Sequence, residues 1–234
     1  MGVFQFKKFS VCDDRATMKV GTDAVLLGAW SDVDRAKNIL DIGSGSGVIS
    51  LMMAQRSDSD SRIDAIELLA DDAKQSSENI LNSPWPLKIS VTHTSIQNFL
   101  PETKYDLIIC NPPFFTNSLL PPVETRSKVR HDTTLTLDEL LAATVRLLSP
   151  IGKFCVILPA IESEIFIEKA KSKKLFLHHL TRFYSRADKP QERSLMEMTF
   201  VSAQSREDSL ILHQSKDQWT NEYKALTKEF YLDR

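Results

Sequence analysis

The chain has 234 residues, of which 42% are hydrophobic and 26% are charged, and its formal net charge is −2. This length suits one domain with a full apolar core, and no apolar run approaches the roughly 18 residues that a membrane-spanning helix needs. The near-neutral charge excludes nucleic-acid binding through an overall positive field, so any such binding must use local patches.

Short β-branched runs alternate with helical patterns from Asn38 onward, which is typical of βαβ units and a parallel sheet. Apolar residues at helical spacing predict helices over Ala70–Leu81 and Asp138–Leu148. The pattern predicts five strands in chain order, over Ile39–Ile42, Arg62–Glu67, Leu87–Thr92, Tyr105–Cys110 and Lys153–Leu158.

In the last third of the chain, the pattern predicts an antiparallel connection between strands instead of a parallel crossover. Two strand-like runs, Leu175–Tyr184 and Leu195–Val201, are joined by a polar loop short enough for an antiparallel hairpin at the sheet edge. The tail then predicts a helix that docks on the body, because large apolar residues recur at helical spacing at Trp219, Tyr223, Leu226 and Phe230.

A glycine-rich turn follows the first predicted strand, where residues 41–47 read D-I-G-S-G-S-G. Glycines are needed where a strand turns tightly and its backbone approaches a ligand. The spacing lacks the second half of the dinucleotide fingerprint and the lysine of a P-loop. Glu67 ends the next strand, where a carboxylate can accept hydrogen bonds from both ribose hydroxyls of a nucleoside. Together these features predict a nucleoside cofactor, with candidate contacts at Asp41, Gly43, Gly45, Gly47 and Glu67.

A second motif, Asn111-Pro112-Pro113-Phe114, follows the fourth predicted strand and should face the same crevice as the glycine turn. The Asn111 side-chain oxygen and the Pro112 carbonyl are two acceptors that can hold both N–H groups of a ring amine. The prolines fix φ and remove donors, and Phe114 can stack on a flat ring. We therefore predict Asn111, Pro112 and Phe114 as catalytic residues, although the run alone also fits an ordinary turn.

The two motifs carry a resemblance to a known class. The glycine turn with Glu67 resembles the first two motifs of class I S-adenosylmethionine methyltransferases, and N-P-P-F resembles the signature of members that methylate amino groups. The resemblance implies S-adenosylmethionine as cofactor, with Asn111 also touching it. The family's third motif falls at residues 93–97, which lack the usual Asp, so Ser95 and Ile96 are the implied contacts there.

The implied fold is α/β and Rossmann-like, with a mostly parallel seven-stranded sheet, one antiparallel edge hairpin and helices on both faces. We expect a single methyltransferase domain over 1–234. Its parts are a segment over 1–37 that covers the cofactor site, a core over 38–204 and a C-terminal extension with a docking helix over 205–234.

The opening residues narrow the resemblance. Residues 4–9 and 14–30 resemble the start of the tRNA(Val) adenine-37 N6-methyltransferase family, and the similarity extends through residues 111–115, 130–131 and 229–232. It implies methyl transfer to N6 of an adenine in a tRNA anticodon loop. It also implies that Lys19, Thr22 and Asp23 line the cofactor pocket, although residues 21–23 equally fit the N-cap of a helix over 24–30. Phe114 stands where close relatives often have Tyr.

Locally positive segments predict where RNA phosphates are held, although each also fits an ordinary solvated surface. The predicted substrate contacts are Phe114 and Phe115 for the unstacked base, and Arg126, Arg130 and Arg193 for the phosphates.

Several alternatives stay open at this point. A guanine-N2 RNA methyltransferase or a protein glutamine N5-methyltransferase would share every motif except the opening residues, whereas the glycine spacing and N-P-P-F disfavour a nicotinamide-dependent oxidoreductase. Three scattered cysteines predict no disulfide framework and no metal site. The first eight residues lack the apolar segment of a secretion signal, so we expect a soluble, cytoplasmic protein. The resemblance implies tRNA as its partner, and we expect a monomer.

Overall fold

The computed structural model describes residues 2–113, 135–216 and 218–232. The chain opens with a small antiparallel hairpin of β1 (Val3–Gln5) and β2 (Ser10–Cys12), followed by helix α1 (Thr22–Trp30). Next come β3 (Asn38–Ile42), α2 (Val48–Arg56), β4 (Arg62–Glu67), α3 (Ala70–Leu81), β5 (Ile89–His93) and β6 (Tyr105–Cys110).

The second half of the described chain alternates helices and longer strands. These elements are α4 (Leu137–Leu147), β7 (Leu148–Pro159), α5 (Ala160–Ser172), β8 (Phe176–Arg186), β9 (Arg193–Thr199), β10 (Arg206–Ser215), β11 (Gln218–Trp219) and α6 (Asn221–Thr227). No helix within the described ranges is long and apolar enough to cross a membrane.

The main sheet has the strand order β11-β10-β8-β9-β7-β6-β3-β4-β5. Strands β3 to β7 pair in parallel, whereas β9 is antiparallel to both β7 and β8. Helices cover both faces, and each face has its own apolar core, one including Leu27 and Met52 and the other including Leu141 and Phe166. This burial on both faces explains why the central strands are almost continuously apolar.

The predicted α/β class with a mostly parallel sheet and an antiparallel hairpin is confirmed, but two details are wrong. The described residues place nine strands in the main sheet instead of seven. The hairpin β8–β9 does not form the edge, because β10 pairs in parallel with β8 and β11 continues beyond it. Residues 205–234, predicted as an extension with a helix, therefore supply two strands of the sheet.

The tail helix is also shorter than predicted. Helix α6 covers Asn221–Thr227, so Trp219 lies in β11 and Phe230 follows the helix. Phe230 is nevertheless buried, and the ring of the adjacent Tyr231 lies 6.2 Å from that of Phe6 and 5.0 Å from that of Trp219. The main-chain N–H of Lys7 also donates to the Phe230 carbonyl at 2.8 Å. We call this contact between residues 4–9 and 219–231 the aromatic clasp.

Candidate cofactor and substrate site

A cavity of about 790 Å³ opens at the carboxyl ends of β3, β4 and β6. The strand order reverses on the two sides of β3, and such a switch point is where open α/β sheets bind their ligands. Predicted site residues that line this cavity are Lys19, Thr22, Asp23, Gly43, Gly45, Glu67, Ser95, Ile96, Asn111, Pro112 and Arg193.

The other predicted site residues are placed differently. Asp41, which is fully buried, and Gly47 do not line the cavity. Phe114, Phe115, Arg126 and Arg130 lie outside the described residues.

The glycine turn presents bare backbone to the cavity. Gly43 and Gly45 have φ values of +73° and +54°, which residues with a side chain rarely adopt. A Cβ built on either glycine would meet nothing within 4 Å. Their open side is therefore space for a ligand. Gly47 also has a positive φ, +82°, and in addition a Cβ there would lie 2.6 Å from the Ser76 Oγ of α3.

Glu67 shapes the turn as well as facing the cavity. Its Oε2 accepts a hydrogen bond from the Gly45 N–H at 2.9 Å, and its Oε1 accepts one from the Leu69 N–H at 2.9 Å. Each carboxylate oxygen can accept a second hydrogen bond, so ribose hydroxyls can still bind there. Glu67 thus fits the predicted ribose contact, and it also has a structural role that the sequence did not reveal.

Asp41 lies fully buried beneath the turn. The Ser50 hydroxyl donates to its Oδ2 at 2.6 Å, whereas Oδ1 has no hydrogen-bond partner among the described residues. Burial raises the pKa of Asp41 to about 7, and the negative charge of Glu67 adds to the effect. A cation bound above the turn would favour the ionised form, which suits a positively charged cofactor.

Asn111 follows the end of β6 on the cavity wall. Its Oδ1 is buried, and no donor in the described part of the chain reaches it. Buried polar atoms in native proteins usually have a partner, so an unsatisfied acceptor in a cavity fits an N–H donor on a ligand. Pro112 is adjacent, and both residues line the same cavity as the glycine turn.

The N-terminal segment closes the cavity from the other side. Helix α1 begins at Thr22, with Gly21 as an N-cap that makes no side-chain hydrogen bond. The predicted capped helix over 24–30 is therefore wrong at its start, and Asp23 lies in the first turn. There Asp23 accepts a hydrogen bond from Arg193 Nε at 2.9 Å, which forms an ion pair in the cavity wall. Lys19 Nζ donates to the main-chain carbonyl oxygen of Asp13.

Sequence reasoning missed several residues of the wall. Asp72 of α3 accepts hydrogen bonds from both the N–H and the hydroxyl of Thr17, at 3.0 and 3.1 Å. Glu139 of α4 accepts from Gln97 Nε2 at 3.0 Å, which puts a carboxylate beside the third motif that lacks one. Neither partner is near in sequence, so the local pattern holds no signal for these contacts.

The comparisons with known proteins agree with this geometry. A family model described as the methyltransferase small domain matches residues 16–162. A tRNA1(Val) (adenine(37)-N6)-methyltransferase from Phocaeicola vulgatus is 45% identical over 98% of this chain and 97% of its own length. A protein of the same name from Pectobacterium carotovorum is 41% identical over 98% of this chain and 93% of its own length.

Solved structures show the same fold at low identity. A predicted O-methyltransferase from Agrobacterium tumefaciens has a TM-score of 0.69 at 17% identity, and the match covers 89% of this chain and 96% of that one. The ribosomal protein L11 methylase from Lactobacillus delbrueckii has a TM-score of 0.52 at 14% identity, with coverage of 75% and 76%.

The sheet, the glycine turn and the matching family model define a methyltransferase of class I. The identity to named relatives extends over nearly the whole chain. The chain belongs to the tRNA1(Val) (adenine(37)-N6)-methyltransferase family, which confirms the resemblance found in its sequence.

Proposed function

We propose that this chain transfers a methyl group from S-adenosylmethionine to N6 of adenine-37 in the anticodon loop of tRNA(Val), in the cytoplasm. The relatives named for this reaction match nearly the whole chain. The observation that carries the proposal within the structure is the buried Oδ1 of Asn111, which has no hydrogen-bond partner among the described residues and lies on the wall of the cavity that also contains the glycine turn.

The residues present fit the cofactor. Gly43 and Gly45 offer an open backbone cradle, and Glu67 has acceptor capacity left for ribose hydroxyls. Buried Asp41 adds a group whose ionisation a cationic ligand would favour. S-adenosylmethionine, when bound, supplies an electrophilic methyl group attached to a positively charged sulfur.

Asn111 and Pro112 would act on the amino group that receives the methyl. An exocyclic amine on an aromatic ring is a poor nucleophile, because its lone pair is delocalised into the ring. Two acceptors that bind its two N–H groups hold the nitrogen with its lone pair aimed out of the ring plane. The Asn111 oxygen has no competing donor in the described residues, so it is available for this role.

The remaining substrate contacts are proposals. Phe114 and Phe115 would stack on the unstacked base, and Arg126, Arg130 and Arg193 would hold phosphates. Arg193 would do so from a position where it also pairs with Asp23.

The test is incubation with labelled S-adenosylmethionine and two transcripts of tRNA(Val), one natural in sequence and one with guanine at position 37. We expect label in N6-methyladenosine from the natural transcript and none from the other. Label in N2-methylguanosine, or in protein only, would overturn the substrate assignment. Asn111→Ala protein gives the matched background.

A further inference from the structure

Helix α3 buries an unusual row of polar side chains. Asp72, Gln75, Ser76 and Asn79 are at most 5% exposed, although such residues on a helix normally face water. They recur at helical spacing, so they form one face. This face contacts two different parts of the cavity wall.

One part is the stretch over residues 12–23, which we call the cover. Asp72 holds Thr17, and Gln75 Oε1 accepts from the main-chain N–H of Arg15 at 3.4 Å. The cover supplies Lys19, Thr22 and Asp23 to the cavity. The polar face of α3 therefore holds the cover in place through its backbone.

The other part is the glycine turn. Gly47 packs so closely on α3 that a Cβ would lie 2.6 Å from Ser76 Oγ. The turn supplies Gly43 and Gly45 to another part of the cavity wall. Helix α3 thus contacts two segments that line the same cavity, and a bound cofactor would meet both.

Asn79 contacts both walls with one side chain. Its Oδ1 accepts from the Cys12 N–H at 3.0 Å, and its Nδ2 donates to the Cys12 carbonyl at 2.7 Å. The same Nδ2 donates its second hydrogen to the Ser46 carbonyl at 2.8 Å. Both donors of the amide are used, and they connect Cys12, where β2 ends and the cover begins, to the glycine turn.

We propose that Asn79 is a positioning residue for the cofactor, which fixes the cover relative to the glycine turn. It does this without lining the cavity itself. An amide is required because the role needs two donors and one acceptor on a short side chain. Aspartate at this position would keep the acceptor for Cys12 but lose both donors. The inference rests on the proposed function, since it assigns the positioned ligand as S-adenosylmethionine.

The first experiment measures affinity for S-adenosylmethionine by calorimetry, and thermal stability, in Asn79→Ala and Asn79→Asp. The matched control is Ser61→Ala, which removes a buried hydrogen bond to the Ala36 carbonyl, 2.7 Å long, at the opposite end of the strands. A second control is Asn82→Ala, at the exposed C-cap position that follows α3, where the side chain donates to the Glu78 carbonyl.

We expect both Asn79 variants to weaken affinity about tenfold or more, the equivalent of a lost hydrogen bond. The affinity of both controls for S-adenosylmethionine should stay within about twofold of the wild type. This should hold even if Ser61→Ala lowers the melting temperature as much as the Asn79 variants do. Equal affinity losses in Asn79→Ala and Ser61→Ala would overturn the proposal, because a general loss of stability would then explain both.

A second measurement needs no variant. Because Asn79 connects the two walls, cofactor binding should slow hydrogen exchange at the Cys12 N–H, although Cys12 does not line the cavity. If cofactor binding slows exchange in the glycine turn but leaves the exchange rate at Cys12 unchanged, the inference is overturned and the proposed function stays intact. A wild-type protein that binds no S-adenosylmethionine would overturn both.

Discussion

Replacing Asn111 by alanine should separate activity from stability. A buried acceptor without a partner costs about 1–3 kcal/mol of folding free energy, and Asn111→Ala removes that penalty together with a few packing contacts. The free energy of unfolding should therefore stay within about 1–2 kcal/mol of the wild type. Turnover should fall by about 10²–10³, or 2.7–4 kcal/mol, as when one preorganised polar partner is removed from a reacting centre.

Urea unfolding and single-turnover methyl transfer at saturating cofactor measure the two effects. Asn79→Ala is the stability contrast, because that side chain makes three hydrogen bonds and should destabilise the fold clearly. Asn111→Asp keeps an acceptor oxygen of nearly the same shape, so it should retain partial activity. Full turnover in Asn111→Ala would refute the assigned role. A large loss of stability would refute the reasoning about the unpartnered oxygen.

Three further predictions use other parts of the site. Glu67→Ala should weaken affinity for S-adenosylmethionine by roughly 1.5–3 kcal/mol, and it should also lower stability, because Gly45 and Leu69 lose their acceptor; unchanged calorimetric affinity would contradict the ribose contact. Since the pKa of Asp41 is raised from 3.8 to about 7, the folded state binds its proton more tightly, so this contribution to stability is lost as pH rises through that range. The free energy of unfolding of Asp41→Asn, relative to that of the wild type, should therefore rise by up to about 4 kcal/mol between about pH 4 and pH 8. A difference between the two proteins that does not change with pH would contradict the assignment. Arg193→Ala should make the dependence of tRNA affinity on salt shallower by about one phosphate; an unchanged slope in filter binding would mean that Asp23 fully neutralises the arginine.

The central elements were predictable because their patterns are local. The runs over Arg62–Glu67, Tyr105–Cys110 and Ala70–Leu81 match β4, β6 and α3 in both bounds. Strand β10 was missed, because R-E-D-S-L-I-L-H-Q-S has few β-branched residues and its partner β8 lies about 27 residues earlier in the chain.

The residues of the site were also predictable where their pattern is local and were missed where they depend on distant parts of the chain. The glycine turn, Glu67 and Asn111 come directly from strand ends, so the sequence places them in one crevice. The polar face of α3 gave no such signal, because Asp72, Gln75 and Asn79 in a helix indicate a solvated surface. They are buried because distant segments pack over them: the cover lies 55 or more residues earlier in the chain, and Ser46 lies 33 residues before Asn79.

The aromatic clasp also has a consequence for the order of events on the ribosome. Phe4 and Phe6 pack against Tyr231, which is made more than 200 residues later. At about 5–20 residues per second, that interval is roughly 10 to 45 s. The cover continues from this clasped stretch, so we expect it to gain this second anchor, beside its hydrogen bonds to α3, only after synthesis has passed residue 231. A nascent chain that has not reached residue 231 would therefore bind its cofactor more weakly than a chain in which the clasp has formed.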